Sequence, residues 1–394
     1  MTLRLGAVGA GSRSRLLAYL PEGEARVAAV ADVTENGRER AAAAFPSAAI
    51  VGSHRDLEGL ALDGVFVLTP DHTHAEIAID LLRSGIPVYL EKPMATTTED
   101  CDAILRTAYE TGTKLYVGHN MRHMPFVEIM HDLIAEGAIG EVRTIWCRHF
   151  VGHGGDFYFK DWHAERAKGT GLLLQKGSHD IDVIHYLAGA SSREITAMGD
   201  LMVYDRVTDR RDNSDRLMGT LASYENWPPL AQTELNPVID VEDVSMMLMR
   251  LGNGVLASYE QCHFTPDYWR NYTVIGTEGR LENLGDDGVG VVRLWNRRSE
   301  YRAEGDRDVT IPSGEGTHGG ADVAILAEFL RFIRDGGATT TSPVAARDSV
   351  AAAIAATGSL RDGSMPRRVA PVEDELATYF SRGQRRLSPG EGRP

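Results

Sequence analysis

Short apolar runs and stretches of helical spacing alternate along the chain as far as Asn120. Leu3–Val8, Arg26–Asp32, Ala48–Gly52, Gly64–Pro70, Val88–Leu90 and Leu115–Val117 are apolar enough to be strands buried on both faces. Thr34–Phe45, His74–Ser84 and Glu99–Glu110 lie between them and carry apolar residues at helical spacing. Apolar strands separated by helices predict a parallel sheet covered on both sides. After Asn120 the pattern changes. A helix is expected over Phe126–Glu136, an alternating strand over Val142–Phe150 and a long helix over Gly171–Leu187. Asn253-Gly254 then separates two alternating runs in LMRLGNGVLASYEQC, a strong hairpin signal. RNYTVIGTEGRLENL predicts a second hairpin and VRLWNRR a further strand. Helices are expected near Ala321–Arg334 and Ala345–Ser359, and a solvated loop over Asp205–Arg216. The pattern divides the chain into residues 1–122, residues 123–382 and a Pro/Gly-rich tail over 383–394.

Composition narrows the function classes. The 394 residues carry 41 Lys and Arg against 56 Asp and Glu, a formal charge of −15. An acidic chain repels phosphate backbones, so no nucleic acid is expected as a partner. Cys101, Cys147 and Cys262 are scattered, which indicates no disulfide framework or structural zinc site. No apolar run approaches the ~18 residues of a membrane span. The opening MTLRLGAVGAGSRSR breaks its apolar stretch with glycines and follows it with arginines, the wrong order for a secretory signal. A cytoplasmic location is therefore expected.

The first candidate chemistry is the loop after the first strand, GAVGAGSRSR. Gly9 permits a tight turn, and Gly11 lets the backbone approach a pyrophosphate. Ser12 and Arg13 open a helix whose free N–H groups point at such an anion. Asp32 ends the second strand, where a carboxylate takes ribose hydroxyls and disfavours a 2′-phosphate. NAD is expected, with NADP less favoured. The alternative is a tight turn that binds nothing.

In open parallel sheets, ligands sit beyond the carboxyl ends of the strands. Thr69-Pro70-Asp71-His72-Thr73-His74, Glu91-Lys92-Pro93 and Gly118-His119-Asn120 fall there. Pro93 restricts Lys92 to extended backbone, which aims its ammonium into the crevice. A lysine so placed stabilises a substrate oxygen as it loses its proton. The alternative is a surface Lys–Glu pair.

GAVGAGSRS, Asp32, TPDHTHAEIAI, YLEKP and GTGLLLQKGSHDIDVIHYLAG occur in the order typical of one family. The chain resembles the Gfo/Idh/MocA oxidoreductases, named for glucose–fructose oxidoreductase, inositol dehydrogenase and a rhizopine-catabolism protein. The resemblance spans about the first 190 residues by motif. It implies an α/β fold: an N-terminal Rossmann domain, then a C-terminal α/β domain with a large open, mostly antiparallel sheet. It implies a homodimer or homotetramer formed through that sheet. It implies that Lys92 contacts substrate beside the nicotinamide and that His179 is the acid/base. Thr69, Pro70 and His74 would line the nicotinamide-ribose side, Asn120 would lie near the same ring, and His72 and Glu91 are further candidate cofactor-binding residues.

In LLLQKGSHDIDVIHY, residues Gln175, His179, Asp182 and Tyr186 fall on one face of a continuous helix. A polar stripe on an otherwise apolar helix needs partners or lines a cavity. Asp182 is placed to orient His179, and a hydrogen-bonded core histidine is the bland alternative. Many dehydrogenases of the family carry aspartate where this chain has Gln175, with Lys176 beside it. Gln175 takes no proton. A Lys176 that shares the cavity opposes imidazolium formation at His179, and a Lys176 paired with a surface carboxylate does not. The loop HFVGHGGDFYFKDWHAERAKG suits stacking on sugar faces, with Trp162 and Arg166 as candidate contacts. His263 and Tyr268 follow the hairpin and are candidate walls of the site. His149, His153 and His163 match no closed zinc spacing, so no metal is expected.

These residues predict an NAD-dependent oxidoreductase acting on a secondary alcohol of a sugar or cyclitol. Two alternatives stay open. One is redox-assisted cleavage of a glycoside with tightly held NAD. The other is a non-catalytic NAD-sensing protein.

Overall fold

A computed structural model describes residues 2–386, apart from 287, 315 and 317. The expected tail lies outside the described residues from 387 onward. The chain forms two compact units. The first holds residues up to His119, then Asp322–Val350 and the chain from Pro371; the second holds Asn120–Ala321 and Ala351–Ala370.

The first unit is built on six strands: β1 (Leu3–Val8), β2 (Ala25–Ala31), β3 (Ala49–Val51), β4 (Gly64–Val67), β5 (Val88–Leu90) and β6 (Leu115–Val117). All pairs are parallel and the order is β3-β2-β1-β4-β5-β6. This is the doubly wound order, whose switch point lies between β1 and β4. Helices α1 (Glu35–Ala44), α2 (His74–Arg83) and α3 (Thr98–Thr111) connect the strands. The segment after the glycine loop, Ser12–Tyr19, is a 3₁₀ helix and not the expected α-helix. Its entry residue, Gly11, has no side chain to cap the first turn.

The units do not follow the single division that the hydrophobic pattern suggests. The late helix Ala321–Asp335 presents Ile325, Leu326, Phe329 and Phe332 to the core of the first unit. The Phe329 ring centroid lies 5.1 Å from Phe66 and 5.4 Å from Tyr89. Periodicity shows that this helix has an apolar stripe. It carries no information on which sheet the stripe covers.

The second unit contains α4 (Pro125–Ala135) and a nine-stranded sheet. Its strands are β7 (Val142–Phe150), β8 (Ser192–Asp200), β9 (Val244–Leu251), β10 (Leu256–Cys262), β11 (Trp269–Gly276), β12 (Arg280–Leu284), β13 (Val291–Trp295), β14 (Arg307–Thr310) and β15 (Arg367–Arg368). The order is β14-β13-β12-β11-β7-β10-β9-β8-β15, and only β7 and β10 pair in parallel. The Asn253-Gly254 hairpin joins β9 to β10, with Gly254 at φ +86°. One face of the sheet leaves Trp146, Met198, Met246, Leu248 and Leu256 exposed.

Two expectations are corrected here. The helix over Gly171–Leu187 is broken: Leu172–Gln175 makes one turn and α5 runs over Gly177–Ala188. Lys176 sits between the two helices with φ −101° and ψ −44°, still in the right-handed helical region. Asp205–Arg216 is more than a solvated loop, because Val207 and Asn213 are buried. Asn213 Nδ2 donates to the carbonyls of Lys160 and Glu234 at 2.9 and 2.8 Å. A polar side chain that satisfies backbone acceptors is buried at little cost. No helix among the described residues is long and apolar enough to cross a membrane.

Candidate active site

In the first unit the candidate cofactor residues gather at the carboxyl ends of the strands. Gly9 has φ +94°, and a Cβ there would meet the Leu68 carbonyl at 3.0 Å, so β1 approaches the end of β4 closely. A Cβ at Gly11 would meet nothing within 4 Å, which leaves that stretch of backbone open to a ligand. Ser14 Oγ donates to the Gly11 carbonyl at 2.7 Å and braces the turn. Asp32 Oδ2 accepts from the Ala10 amide at 2.9 Å, and Oδ1 accepts from the Thr34 amide at 2.8 Å. The carboxylate that would take ribose hydroxyls is thus fixed to the glycine turn itself. These residues fit a dinucleotide: an open glycine backbone, an oriented acid and the switch point beside them.

Arg13 does not point into this opening. It donates to Glu91 and, through both terminal nitrogens, to Asp322 at 3.0 and 2.9 Å. Although burial alone would lower the Arg13 pKa, Glu91 and Asp322 hold it well above its ordinary value. Glu91 Oε2 also accepts from the Lys92 amide at 2.8 Å. Arg13 therefore joins the glycine loop to the segment that carries Lys92, and it and Glu91 serve as bracing residues. The Lys92–Pro93 peptide is cis. His74 is fully buried, with Nδ1 at 2.8 Å from the Pro93 carbonyl and Nε2 at 2.9 Å from the Thr69 carbonyl. It ties the ends of β4 and β5 together from beneath. Thr69 is half-buried, while Pro70 and His72 are exposed.

In the second unit, Gln175, His179, Asp182, Asn120 and His263 are all buried. The His179 ring centroid lies 6.3 Å from that of His318. Asp182 takes both of its oxygens to Arg122, at 2.7 Å each. Arg122 in turn lies over the Tyr186 ring, 4.7 Å from its centroid. Lys176 Nζ is 3.5 Å from Tyr268 OH and lies over the rings of Tyr268 and Tyr158, at 5.4 and 5.7 Å. These contacts set the Lys176 ammonium against two aromatic rings. Trp162 stacks on His163 with centroids 3.7 Å apart. Arg166 is exposed and pairs with Glu242 at 3.0 Å. The glycines of the GHGGD stretch serve close packing: a Cβ on Gly154 would lie 2.3 Å from the His263 carbonyl.

A buried ionic cluster lies under the middle of the second sheet, and motif order does not reveal it. Asp180 stands 3.0 Å from His149 Nδ1 and 3.2 Å from Arg270 Nε. Tyr259 OH donates to it at 3.1 Å, and Tyr272 OH also donates to it. Burial alone would raise the Asp180 carboxyl, but His149 and Arg270 hold it far below the ordinary carboxylate range. Burial and the neighbouring Arg270 push His149 down to about 3. The signal for this cluster is strand alternation: Ile145, Cys147 and His149 share the inward face of β7. Among the described residues, His54, Glu76 and Asp80 form the one group able to gather three metal ligands. Arg55 already pairs with both of its carboxylates, at 3.0 and 3.1 Å.

Residues 3–119 match the family described as "Oxidoreductase family, NAD-binding Rossmann fold", and residues 127–282 match the "GFO/IDH/MocA C-terminal domain". The chain belongs to the Gfo/Idh/MocA oxidoreductase family. Inositol 2-dehydrogenase of Rhizobium meliloti (strain 1021) is 30% identical over 238 residues, 59% of this chain and 66% of that one. Levoglucosan dehydrogenase of Pseudarthrobacter phenanthrenivorans is 30% identical over 231 residues, 55% of this chain and 54% of that one. The alignments thus span between half and two thirds of these relatives. A solved levoglucosan dehydrogenase, in complex with NADH and levoglucosan, has a TM-score of 0.77 at 20% identity, covering 94% of this chain and all of that one. At that identity the likeness establishes the fold of this Gfo/Idh/MocA member, an oxidoreductase by family, and not its substrate.

Proposed function

We propose that this Gfo/Idh/MocA protein transfers a hydride between NAD and a secondary alcohol of a sugar or cyclitol. The observation that carries the reading is the first unit's strand-end geometry: Asp32 fixed on an open glycine turn, and Lys92 at the end of β5, two strands from β1. Bound at the glycine turn, NAD supplies the hydride acceptor. Gly9, Gly11 and Ser12 would hold its pyrophosphate, and Asp32 would take the ribose hydroxyls. A carboxylate there repels a 2′-phosphate, which favours NAD over NADP. Lys92 Nζ donates a hydrogen bond to the substrate oxygen and stabilises it as negative charge develops. An imidazole nitrogen of His179 takes the hydroxyl proton. Tyr268, Trp162 and Lys176 supply rings and donors of the kind that hold a polyhydroxylated ring. The relatives whose names specify inositol and levoglucosan support this substrate class.

The exposed apolar residues of the second sheet support assembly of copies face to face. A homodimer or homotetramer through that sheet is the form we expect in solution.

Lys92→Ala and His179→Ala should each lower turnover by a factor on the order of 10²–10⁴, with NAD affinity nearly unchanged. Near-parental turnover in both variants would overturn the reading. Release of an aryl aglycone from a glycoside without added NAD would replace it with redox-assisted cleavage.

A further inference from the structure

Strand alternation turns His149, Gln261 and Arg270 to the same face of the second sheet, and the three are register partners across β10, β7 and β11. Asp180 bonds His149 through Nδ1. A carboxylate only accepts, so the imidazole proton resides on Nδ1 and the lone pair on Nε2. Burial and Arg270 disfavour the protonated form of this imidazole. His149 Nε2 is buried without a hydrogen-bond partner. The same holds for both ring nitrogens of His263 and for Arg270 Nη2.

An unsatisfied buried polar atom costs about 1–3 kcal/mol, and native proteins seldom leave several together. These residues are linked through two tyrosines and Lys176. His149 stands edge-on to Tyr268 at 5.5 Å, and His263 stands edge-on to Tyr158 at 5.3 Å. The Lys176 ammonium lies over both tyrosine rings. Tyr268 is 44% exposed, so the cluster reaches the surface through that ring. The set comprises one fixed acceptor, several N–H donors and two aromatic faces. It is the complement of a hydroxyl-bearing ring, which offers a proton, oxygen lone pairs and an apolar C–H face.

We infer that His149 Nε2, fixed in its tautomer by Asp180, accepts a hydrogen bond from one hydroxyl of the substrate and determines which ring is selected. The inference rests on the sugar or cyclitol reading above. It gives His149 a binding role and leaves proton transfer to His179. A site built to bond a hydroxyl rejects the analogue that lacks it, because its own buried polar atom is then left unpaired. The competing explanation is that His149 only pins Asp180.

His149→Asn separates the two. Its amide nitrogen can still donate to Asp180 from the Nδ1 position, while the acceptor at Nε2 is gone. His149→Gln keeps a polar group near Nε2 and gives up the bond to Asp180. Binding is measured by calorimetry on NAD-loaded protein with myo-inositol, D-glucose and methyl β-D-glucopyranoside, and with their monodeoxy analogues. Turnover is followed in parallel. His149→Asn should remain folded with the parental NAD affinity, and should weaken binding of the best ring by about 10²-fold or more. That loss should vanish against the single deoxy analogue lacking the selected hydroxyl, and His149→Gln should recover part of it.

Undiminished ring binding in His149→Asn would overturn the inference. So would an equal loss against every deoxy analogue, or no binding of any of these rings by the parent. A ring that binds the parent without being oxidised counts against the hydride-transfer reading alone. Loss of its binding in His149→Asn still supports the acceptor role.

Discussion

The interior of the first unit is apolar and aromatic from Leu5 to Phe332, and its candidate chemistry sits in the loops beyond β1, β2, β4 and β5. The second unit places Asp180, His149 and Arg270 directly beneath β7, β10 and β11, each 2% exposed or less. The difference follows from sheet type. A parallel sheet sends every strand end to one edge, so polar groups collect there without entering the core. A large, mostly antiparallel sheet has no common edge of that kind, and a site on its helix-facing side must be built from inward-pointing residues. Such residues are tolerated only when each ionised group is paired and hydrogen-bonded. A half-buried first-unit residue such as Asp32 can therefore be lost cheaply, whereas Asp180 of the second unit cannot.

The strongest break of this contrast is Asp180→Ala. It leaves Arg270 buried without its carboxylate, and removing one partner of a buried pair costs about 3–5 kcal/mol. Urea unfolding monitored by tryptophan fluorescence should show that loss. A change under about 1 kcal/mol would mean that the cluster behaves like a surface pair.

Acid should weaken the chain through its buried histidines. His185 is pushed down to about 4, chiefly by burial. Its folded-state value lies below the unfolded one, so the unfolded chain binds more protons in between. The stability it contributes is complete above pH ~6.5 and is lost as the pH falls towards ~4. Between pH 7.5 and 4.5 the loss from this group is roughly 2 kcal/mol. His185→Gln should flatten that slope in paired urea titrations. An unchanged slope would show that His185 is not the group responsible.

The smallest effect belongs to the first unit. Asp32→Ser removes the acceptor for the Ala10 amide, one hydrogen bond with a net worth of about 1 kcal/mol. Its main consequence should be a narrower gap between NAD and NADP affinity, measured by quenching of intrinsic fluorescence. Equal affinities in the parent protein would remove the role assigned to Asp32.

Local signals serve the two units unequally. The strands of the first unit, its glycine turn, Asp32 and Lys92 are all legible, because each depends on residues close in sequence. Arg13 is legible as part of the loop but not as a brace, since its partner Asp322 lies 309 positions away. The interruption at Lys176 between Leu172–Gln175 and Gly177–Ala188 is not legible in the spacing of apolar positions. His149 is visible as an inward position of β7, yet nothing local shows that Asp180 and Arg270 meet it there.

By itself, the sequence determined the two kinds of sheet, the dinucleotide turn, the order of the family's motifs and the acidic character of the chain. Those are properties of hydrophobic period, turn chemistry and short spacings, which act over a few residues. Only the tertiary structure decided that Ala321–Asp335 covers the first sheet, that Arg13 clamps Glu91 and Asp322, and that Asp180 joins His149 to Arg270. Each of these brings together groups from distant segments. Such pairings are selected by burial, where an unpaired charge is too costly to keep, and that cost exists only once the chain has folded.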